Sequence, residues 1–559
     1  MTIDWRPAGD SAWVATAAAQ PPPGEASGGP AGSGWTLTGS MAMHGLAGAV
    51  SAAGLPGVRD IVPSCTAVTV HVHPLRAGDE TIQRLRHLTP AAMRGAGRVV
   101  EVPVVYDGPD LDEVAALTGL DVPEVVARHA RGDASVLMLG FAPGFPYLAP
   151  VDAVLTLPRR ATPRVRVPAG AVGIAAGLTC IYPGGTGGGW HLIGRTGLTL
   201  FDPVAVPPAT LRPGDRIRWM PVDRLEPASA TPAGAGAAFD GVTAARSTGG
   251  LTVLRPGQLT SVQDAGRWGF QAMGVPVSGA CDAGASRRAN AAVGNAADAA
   301  VIEISAVGPD LRFEQPVTLA WAGSSMDVEV DGRAVPPETA VAVPAGGVLR
   351  CGAVRGGLRT YLAVAGGIDV PLVLGSRSAC LGAGFGGGAG RALAAGDHLP
   401  VGRPAGDPAS PRVTGRGGVG PGEPRRTALR VLPGPDAASV PGRLIDALLE
   451  RPLTVSRHVN RAGCRLTGDL PETGAPAGDR PPTGTVPGAV QVTPHGDLLL
   501  LLADRQPTGG YPQVLCVIAA DLDDAAQLCP GDPVTFSLCS QQDAMRALAD
   551  REARLSRGC

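Results

Sequence analysis

The sequence predicts a mainly β protein built from repeated β domains, with a small α+β domain at its N-terminus. Three observations support this. The 559 residues include 80 Gly and 54 Pro, which interrupt helices but punctuate strands and tight turns. Helix-like patterns fall mostly in the first quarter of the chain, and strands and turns dominate beyond them. A weak internal repeat links Pro168–Gly194 to Pro487–Leu515. Each segment has a Pro/Gly turn, a short β-branched strand, and Thr-Gly-Gly followed by an aromatic and apolar residues. The chain is too long for one hydrophobic core, so several domains are expected.

Residues 1–88 mix a strand-like "SCTAVTVHVHP" with a helix-like "GDETIQRLRHL", an α+β pattern. Residues 89–225 form a second unit, opened by the strand-like "RVVEVPVVYDG". In "LDEVAALTGLDVPEVVARHARG" two short helices are expected, the second capped by Asp121 and carrying Pro123 in its first turn. Residues 226–250 and 402–425 are small, polar and rich in Pro and Gly, a composition that cannot bury enough apolar area to offset chain ordering. They read as linkers around a β domain at 251–401. A further β domain follows at 426–545, with a helical tail at 546–559. Leu211–Trp219, Leu393–Val401 and Leu528–Phe536 each set Gly-Asp between apolar residues, as a tight turn into a final strand requires. With the repeat, these turns predict similar barrels or sandwiches used more than once.

The formal net charge is −2, without a basic stripe, so the footprint of a nucleic-acid binder is missing. All 47 basic residues are Arg. The absence of Lys excludes a Walker lysine, a Schiff-base lysine and a covalently attached biotin. The ten Cys form neither a CxxC nor a Cys/His cluster, so no metal is expected, and most should be buried thiols in a reducing compartment. The N-terminus lacks the basic-then-apolar pattern of a secretory signal, and the aliphatic run Leu498–Leu502 is too short to span a bilayer. A soluble cytoplasmic protein without membrane contact is the expectation.

Five stretches gather candidate functional groups. In "MLGFAPGFPYLAP", turns at Ala142-Pro143-Gly144 and at Pro146 would fix Phe141, Phe145 and Tyr147 as a rigid apolar wall for a ligand or another protein chain, or as a plug between the N-terminal domain and a barrel. In "ATPRVRVPAG", Arg164 and Arg166 would share one face of a strand and could hold a carboxylate or phosphate; the alternative is a solvated edge. "GGTGGGWHLIGRT" joins a Gly run, whose N–H groups could cradle an anion, to Trp190, His191 and Arg195, without any P-loop. "TSVQDAGRWGFQAMGVPVSGACD" offers Gln263, Asp264, Arg267, Gln271, Ser278 and Asp282, a density suited to a small polar ligand, although Asp264 and Arg267 could simply pair to hold the loop. "NRAGCRL" and "LADRQPTGGYP" offer Asn460, Arg461, Asp504, Arg505, Gln506 and Tyr511. No catalytic triad is assigned from spacing, because triads are defined by geometry.

"LGFAPGFPYL", "PRRATPRVRVPAGAVGIA", "IYP" and "GGWHLIGRT" resemble the B subunit of 5-oxoprolinase, a family also known as allophanate hydrolase subunits or carboxyltransferase subdomains. "VQDAGRWGFQAMGVPVSGACD", "VGNAADAAVIEI", "GGLRTYLAVAGGIDVP", "VLGSRS", "LRVLPGP" and "LADRQPTGGYP" resemble its partner, the C subunit. The resemblance spans nearly the whole chain. It implies an α+β N-terminal domain followed by cyclophilin-like β barrels, and fused B and C subunits that act with a separate A subunit to open 5-oxoproline to glutamate using ATP. A phosphorylated intermediate would make the lactam carbonyl attackable by water. The family also implies two alternatives: a regulatory inhibitor of a histidine kinase, or the carboxyltransferase component of a biotin-dependent urea carboxylase, whose carboxybiotin another polypeptide would have to deliver. Which of the polypeptides binds ATP stays open, and a homo-oligomer is compatible. On this reading His191, Asp264 and Asp504 are the catalytic candidates. Phe145, Tyr147, Tyr182 and the polar groups named above, Asp282 aside, are expected to bind substrate. Leu178, Cys180, Trp268 and Cys464 depart from the Gln, Gly, Pro and Tyr that the resemblance leads one to expect. Loss of the Gln amide would remove a donor and an acceptor from a ligand groove.

Overall fold

A short antiparallel sheet opens the protein: β1 (Ile3–Ala8), β2 (Ala12–Ala17), β3 (Val58–Pro63) and β4 (Ala67–Val72), in the order β1-β2-β4-β3. The structure is a computed structural model describing residues 3–17, 36–92, 97–226, 249–404, 427–471 and 480–557. Apart from a few flanking positions, the expected linkers at 226–250 and 402–425 lie outside the described residues. Helices α1 (Leu37–Ala52) and α2 (Asp79–His87) cover one face of the sheet. Met43, Leu46 and Val50 recur at helical spacing on α1 and pack with Leu85, Val68 and Val70. The opposite face, through Ala8, Ala12, Val14 and Ala67, packs on Val486, Ala489, Leu501 and Cys516 far along the chain.

The next unit contains β5 (Val99–Val104), α3 (Leu111–Thr118), α4 (Val122–Arg131), β6 (Ala134–Leu139), β7 (Pro146–Ala149), β8 (Ala171–Ala175), β9 (Leu178–Ile181), β10 (His191–Arg195) and β11 (Arg216–Pro221). Asp121 caps α4 as expected, accepting from Glu124 N at 2.8 Å, with Pro123 in the first turn. The strand order is β10-β8-β9-β7-β6-β11-β5, and paired hydrogen bonds between Val105 and Arg195 (2.9 and 2.8 Å) join its ends, so the sheet is barrel-like.

A middle unit follows, with β12 (Gly250–Arg255), β13 (Leu259–Gln263), α5 (Ala283–Ala292), β14 (Val301–Ser305), β15 (Asp310–Phe313), β16 (Val317–Val330), β17 (Arg333–Ala334), β18 (Val341–Val343), β19 (Val348–Val364) and β20 (His398–Pro400). The long strands β16 and β19 run side by side and carry α5 on one face.

The last unit is a closed barrel. Its strands are β21 (Ala428–Pro433), β22 (Leu453–Val459), β23 (Gly463–Thr467), β25 (Ala489–Val492), β26 (Leu498–Leu501), β28 (Gln513–Val517) and β29 (Pro533–Leu538), with β24 (Thr483–Gly484) and β27 (Thr508–Gly509) forming a separate short pair. Helix α6 (Gly442–Glu450) follows its first strand, α7 (Leu522–Ala526) precedes its last, and α8 (Gln541–Arg557) ends the described chain. Among the described residues, no helix is long and apolar enough to cross a membrane.

The two barrels share one topology. Counting strands within each barrel, both run first, seventh, second, third, fifth, fourth, sixth and back to the first, with the first and seventh parallel. The repeat seen in the sequence falls on the fourth to sixth strands of each. The Gly-Asp turns also correspond. Asp215 and Asp532 precede the seventh strands, and each accepts from the N–H three residues earlier, that of Arg212 and of Cys529. Asp397 does the same to Ala394 N at 2.7 Å, but its turn feeds β20 of the middle sheet. Gly214, Gly396 and Gly531 sit at φ near +90°, the third position of a type II turn. The motif therefore marks a turn, and the barrel likeness rests on strand order.

Candidate active site

The barrels meet through corresponding loops. The turn after the second strand supplies Phe141, Ala142 and Pro143 in the first barrel and Asn460 and Ala462 in the second. The segment between fifth and sixth strands supplies Gly185, Thr186 and Gly187 in one, and Asp504, Arg505 and Gln506 in the other. With Pro276, Gly382 and Ala383 from the middle unit they enclose a cleft of about 610 Å³. One loop pair is in direct contact: Phe141 N donates to Thr508 Oγ1 at 2.8 Å. The repeat aligns Thr508 with Thr186, whose buried Oγ1 has no hydrogen-bond partner. Gln491 Oε1 is likewise buried and unpartnered at the cleft. Unpaired buried polar atoms are costly unless a ligand or water completes them.

Asp504 is the carboxylate of the cleft. Arg461 grips both its oxygens, Nε to Oδ2 at 2.9 Å and Nη2 to Oδ1 at 3.1 Å, a bidentate geometry that fixes the carboxylate plane. Behind it Arg461 also donates to Gly279 O at 2.6 Å and to Glu303. Glu303 is buried on β14 and accepts further from Tyr361 Oη (2.8 Å) and Cys281 N (2.9 Å). Desolvation alone would raise its pKa, but Arg461, Arg359 and these donors outweigh burial and hold it below the usual glutamate value. Desolvation works against the Arg461 cation too, yet Asp504 and Glu303 keep it charged, its pKa well above the ordinary one. Asn460 uses its side-chain oxygen to hold the turn, accepting from Ala462 N (2.8 Å) and Gly463 N (3.1 Å).

Residues 5–211 match the family model for carboxyltransferase subdomains C and D, and residues 273–538 match the model for subdomains A and B. The chain is 37% identical over 304 residues to the C subunit of 5-oxoprolinase from Escherichia coli K12, covering 54% of this chain and 95% of that protein. The chain belongs to the carboxyltransferase-domain family. Within this family it is also 44% identical over 173 residues to the B subunit of 5-oxoprolinase from Escherichia coli O157:H7, covering 30% of this chain and 79% of that one. The crystal structure of TTHA0988 superposes with a TM-score of 0.77 at 36% identity, over 90% of this chain and 98% of its own. More distant carboxyltransferase-domain relatives include the urea amidolyase of Saccharomyces cerevisiae, 31% identical over 51% of this chain and 16% of that protein.

Against this family background the candidate residues fall in distinct places. Asn460, Asp504, Arg505 and Gln506 line the cleft. Arg461 sits directly behind it. Phe145, Tyr147 and Tyr182 do not line it. They are buried with Trp190 in an edge-to-face cluster, ring centroids 5.0–6.1 Å apart, that also packs Cys65 of the N-terminal unit, the geometry of a plug. Of the rings in that stretch, Phe141 alone reaches the cleft.

Arg164 and Arg166 are not on a strand: residue 164 makes a single bridge to Gly188, Arg164 pairs with Asp110 at 2.5 Å, and Arg166 is exposed. Asp110 also receives Arg160 Nη1 (2.8 Å) and Leu192 N (2.7 Å), so it ties this arginine loop to the first barrel. Arg195 pairs with Asp107 at 2.9 Å on the surface.

The catalytic candidates do not converge. His191 is buried on β10 against Pro158 O at 3.1 Å. Asp264 accepts from Ser376 Oγ, Ser378 Oγ, Arg377 N and Gly266 N (2.5–2.8 Å), which occupies its lone pairs. Arg267 is buried, donates to Ser378 O and lies over Phe385, so it and Asp264 clamp the same loop without pairing to each other. Gln263 bonds Ser261 and Ala379, and Gln271 links Asp60 to Arg505 (3.0 and 2.8 Å). Ser278 lines a separate cavity, Asp282 caps α5, and Tyr511 offers its carbonyl to Gln491.

Sequence reading missed Thr186, Gln491 and Glu303. The repeat could have flagged Thr186 as the partner of Thr508, and Glu303 is the one charge in "VIEIS", an otherwise buried apolar strand. Cys464, where the family resemblance leads one to expect Tyr, lines the cleft, whereas Leu178 is buried in the aromatic cluster.

Proposed function

We propose that this chain carries the B and C subunits of an ATP-dependent 5-oxoprolinase in one polypeptide and completes its active site with a separate A subunit. What carries the reading is that relatives named as the C and B subunits cover 54% and 30% of the chain, and the two family-model regions, 5–211 and 273–538, share the cleft. The substrate is a lactam bearing one N–H, one carbonyl and one carboxylate. Gln491 Oε1 accepts the N–H and Thr186 donates to an oxygen, contacts that would satisfy both orphaned atoms. Asp504, oriented by the two-point grip of Arg461, takes a proton from attacking water. ATP would supply the phosphoryl group that activates the carbonyl oxygen; after water adds to that carbon, the C–N bond breaks with a proton going to nitrogen, and a second water hydrolyses the resulting acyl phosphate to glutamate and phosphate. The protein acts in the cytoplasm.

Purified protein mixed with its A subunit, 5-oxoproline and ATP should yield glutamate and ADP in equal amounts. Inactivity of that mixture, with carboxylation of urea in the presence of a biotin carrier and carboxybiotin, would replace this reading with the carboxyltransferase one, which the urea amidolyase relatives favour. Inactivity in both, with inhibition of kinase autophosphorylation, would make the protein a regulator.

A further inference from the structure

A second cavity, of about 340 Å³, lies where the N-terminal sheet, the middle unit, the second barrel and α8 meet. Arg505 alone lines both this cavity and the cleft. Much of its wall is apolar, including Val72, Val277, Leu502, Leu522 and Leu548. Its charges are unequal. Arg59, Arg287, Arg505 and Arg551 face Asp264, Asp523 and Glu552. Each of those carboxylates is engaged: Asp264 in the loop clamp, Asp523 with Arg551, Glu552 with Arg287 and Arg551.

Arg59 forms no ion pair among the described residues. It lies over the Trp268 indole, 4.3 Å from the ring centroid, where a cation–π contact holds it without neutralising it. Desolvation, followed by repulsion from Arg76, lowers its pKa, as expected of a cation without a counter-charge. Four further lining residues keep a buried nitrogen without a hydrogen-bond partner: His71 Nε2, His73 Nδ1, Trp268 Nε1 and Arg287 Nε. A well-packed interior pairs nearly all such groups, and two of these, Trp268 Nε1 and Arg287 Nε, can only donate, so the cavity wall has room for an acceptor.

We propose that this cavity is a second binding site, for a small organic anion with a carboxylate head and an apolar body. The carboxylate sits against Arg59 and the indole N–H of Trp268, and the body lies against Leu502, Leu522 and Leu548. Inorganic anions lack the apolar body, and uncharged hydrocarbons leave Arg59 unpaired. This inference stands apart from the 5-oxoprolinase reading, because it concerns different residues and is read by binding.

The test is calorimetric titration of the full chain with hexanoate, using hexan-1-ol and hexylamine as tail-matched controls. Hexanoate should bind saturably with one site per chain, at least tenfold more tightly than hexan-1-ol, and hexylamine should not bind. Arg59→Met, at an exposed position that leaves the melting temperature unchanged, should weaken hexanoate at least tenfold. Trp268→Phe should weaken it severalfold and remove the fluorescence change on binding. Asp504→Asn should leave it unaltered. Equal binding of hexanoate and hexan-1-ol, indifference to Arg59→Met, loss of binding in Asp504→Asn, or no saturable binding of any carboxylate from acetate to octanoate would each overturn the proposal.

Discussion

At the scale of single residues, the buried Arg461 is shared between two carboxylates, Asp504 and Glu303, and a second buried cation, Arg359, lies 3.9 Å from Glu303. Asp504→Asn keeps shape and removes the base. We expect glutamate formation to fall at least ~100-fold, within the range that a positioned acid–base group contributes, with little change in melting temperature. A fall of less than tenfold would remove Asp504 from the chemistry. Arg461→Met should instead unfold the protein more readily, by about 3–5 kcal/mol in urea titration, because it leaves the buried Glu303 with only the longer 3.9 Å contact to Arg359 and strips Asp504 of its partner.

Two buried carboxyls respond to pH in opposite senses. Glu303 is depressed in the fold, so its stabilisation is present above its ordinary value of 4.5 and lost as pH falls through the lower folded pKa. Asp10 is raised from 3.8 to about 6, chiefly by desolvation, and its Oδ1 has no partner. Its contribution is present below 3.8 and lost as pH rises towards 6. Asp10→Asn should therefore flatten the decline in urea midpoint between those pH values. Parallel curves for the two proteins would show that Asp10 does not titrate there.

Among secondary-structure elements, the paired loops of the barrels decide both packing and access. Phe141 sits at φ 63°, an unfavourable region for a bulky side chain, and its N–H is held by Thr508. Gly140 beside it has no room for a side chain: an added Cβ would meet Thr508 Oγ1 at 2.3 Å. Thr508→Val should cost about 1–3 kcal/mol by leaving that N–H buried and unpaired. It should also raise KM for the lactam, as the cleft mouth loosens, and an unchanged KM would detach the contact from function. Tyr147→Ala empties part of the aromatic plug and should destabilise by about 3–5 kcal/mol in thermal or urea unfolding. Normal stability with lost activity would instead restore the reading of these rings as a ligand wall.

Over the whole molecule, the regions that match the two family models are joined by contacts on several sides. Gly269 N and Gln271 Nε2 reach Asp60 (2.8 and 3.0 Å), Gly144 N reaches Met273 O (2.8 Å) and Ala519 N reaches Asp10 (2.9 Å). A protease site inserted within 227–248 should therefore leave the halves together after cleavage. Co-elution on gel filtration, with activity in the presence of the A subunit retained within about twofold, is the expected result. Separation of the halves would mean that the covalent link holds the cleft together.

Local chemistry made part of this molecule legible in its sequence. The Asp121 cap with Pro123, the Gly-Asp turns and the strand-rich repeat each depend on a few neighbouring residues, whose backbone preferences act before any distant contact forms. The repeat even located the fourth to sixth strands of both barrels. Partner choice was decided only by tertiary structure. Periodicity assigns a residue to a face but not to what lies opposite, so nothing in "RVR" tells that Arg164 meets Asp110, and nothing in "NRAGC" tells that Arg461 bridges Asp504 and Glu303. The loops that form the cleft have no period at all. Packing the N-terminal unit on the first barrel is what buried the rings of "GFPYL", and the meeting of the two barrels left Asp504 facing open space.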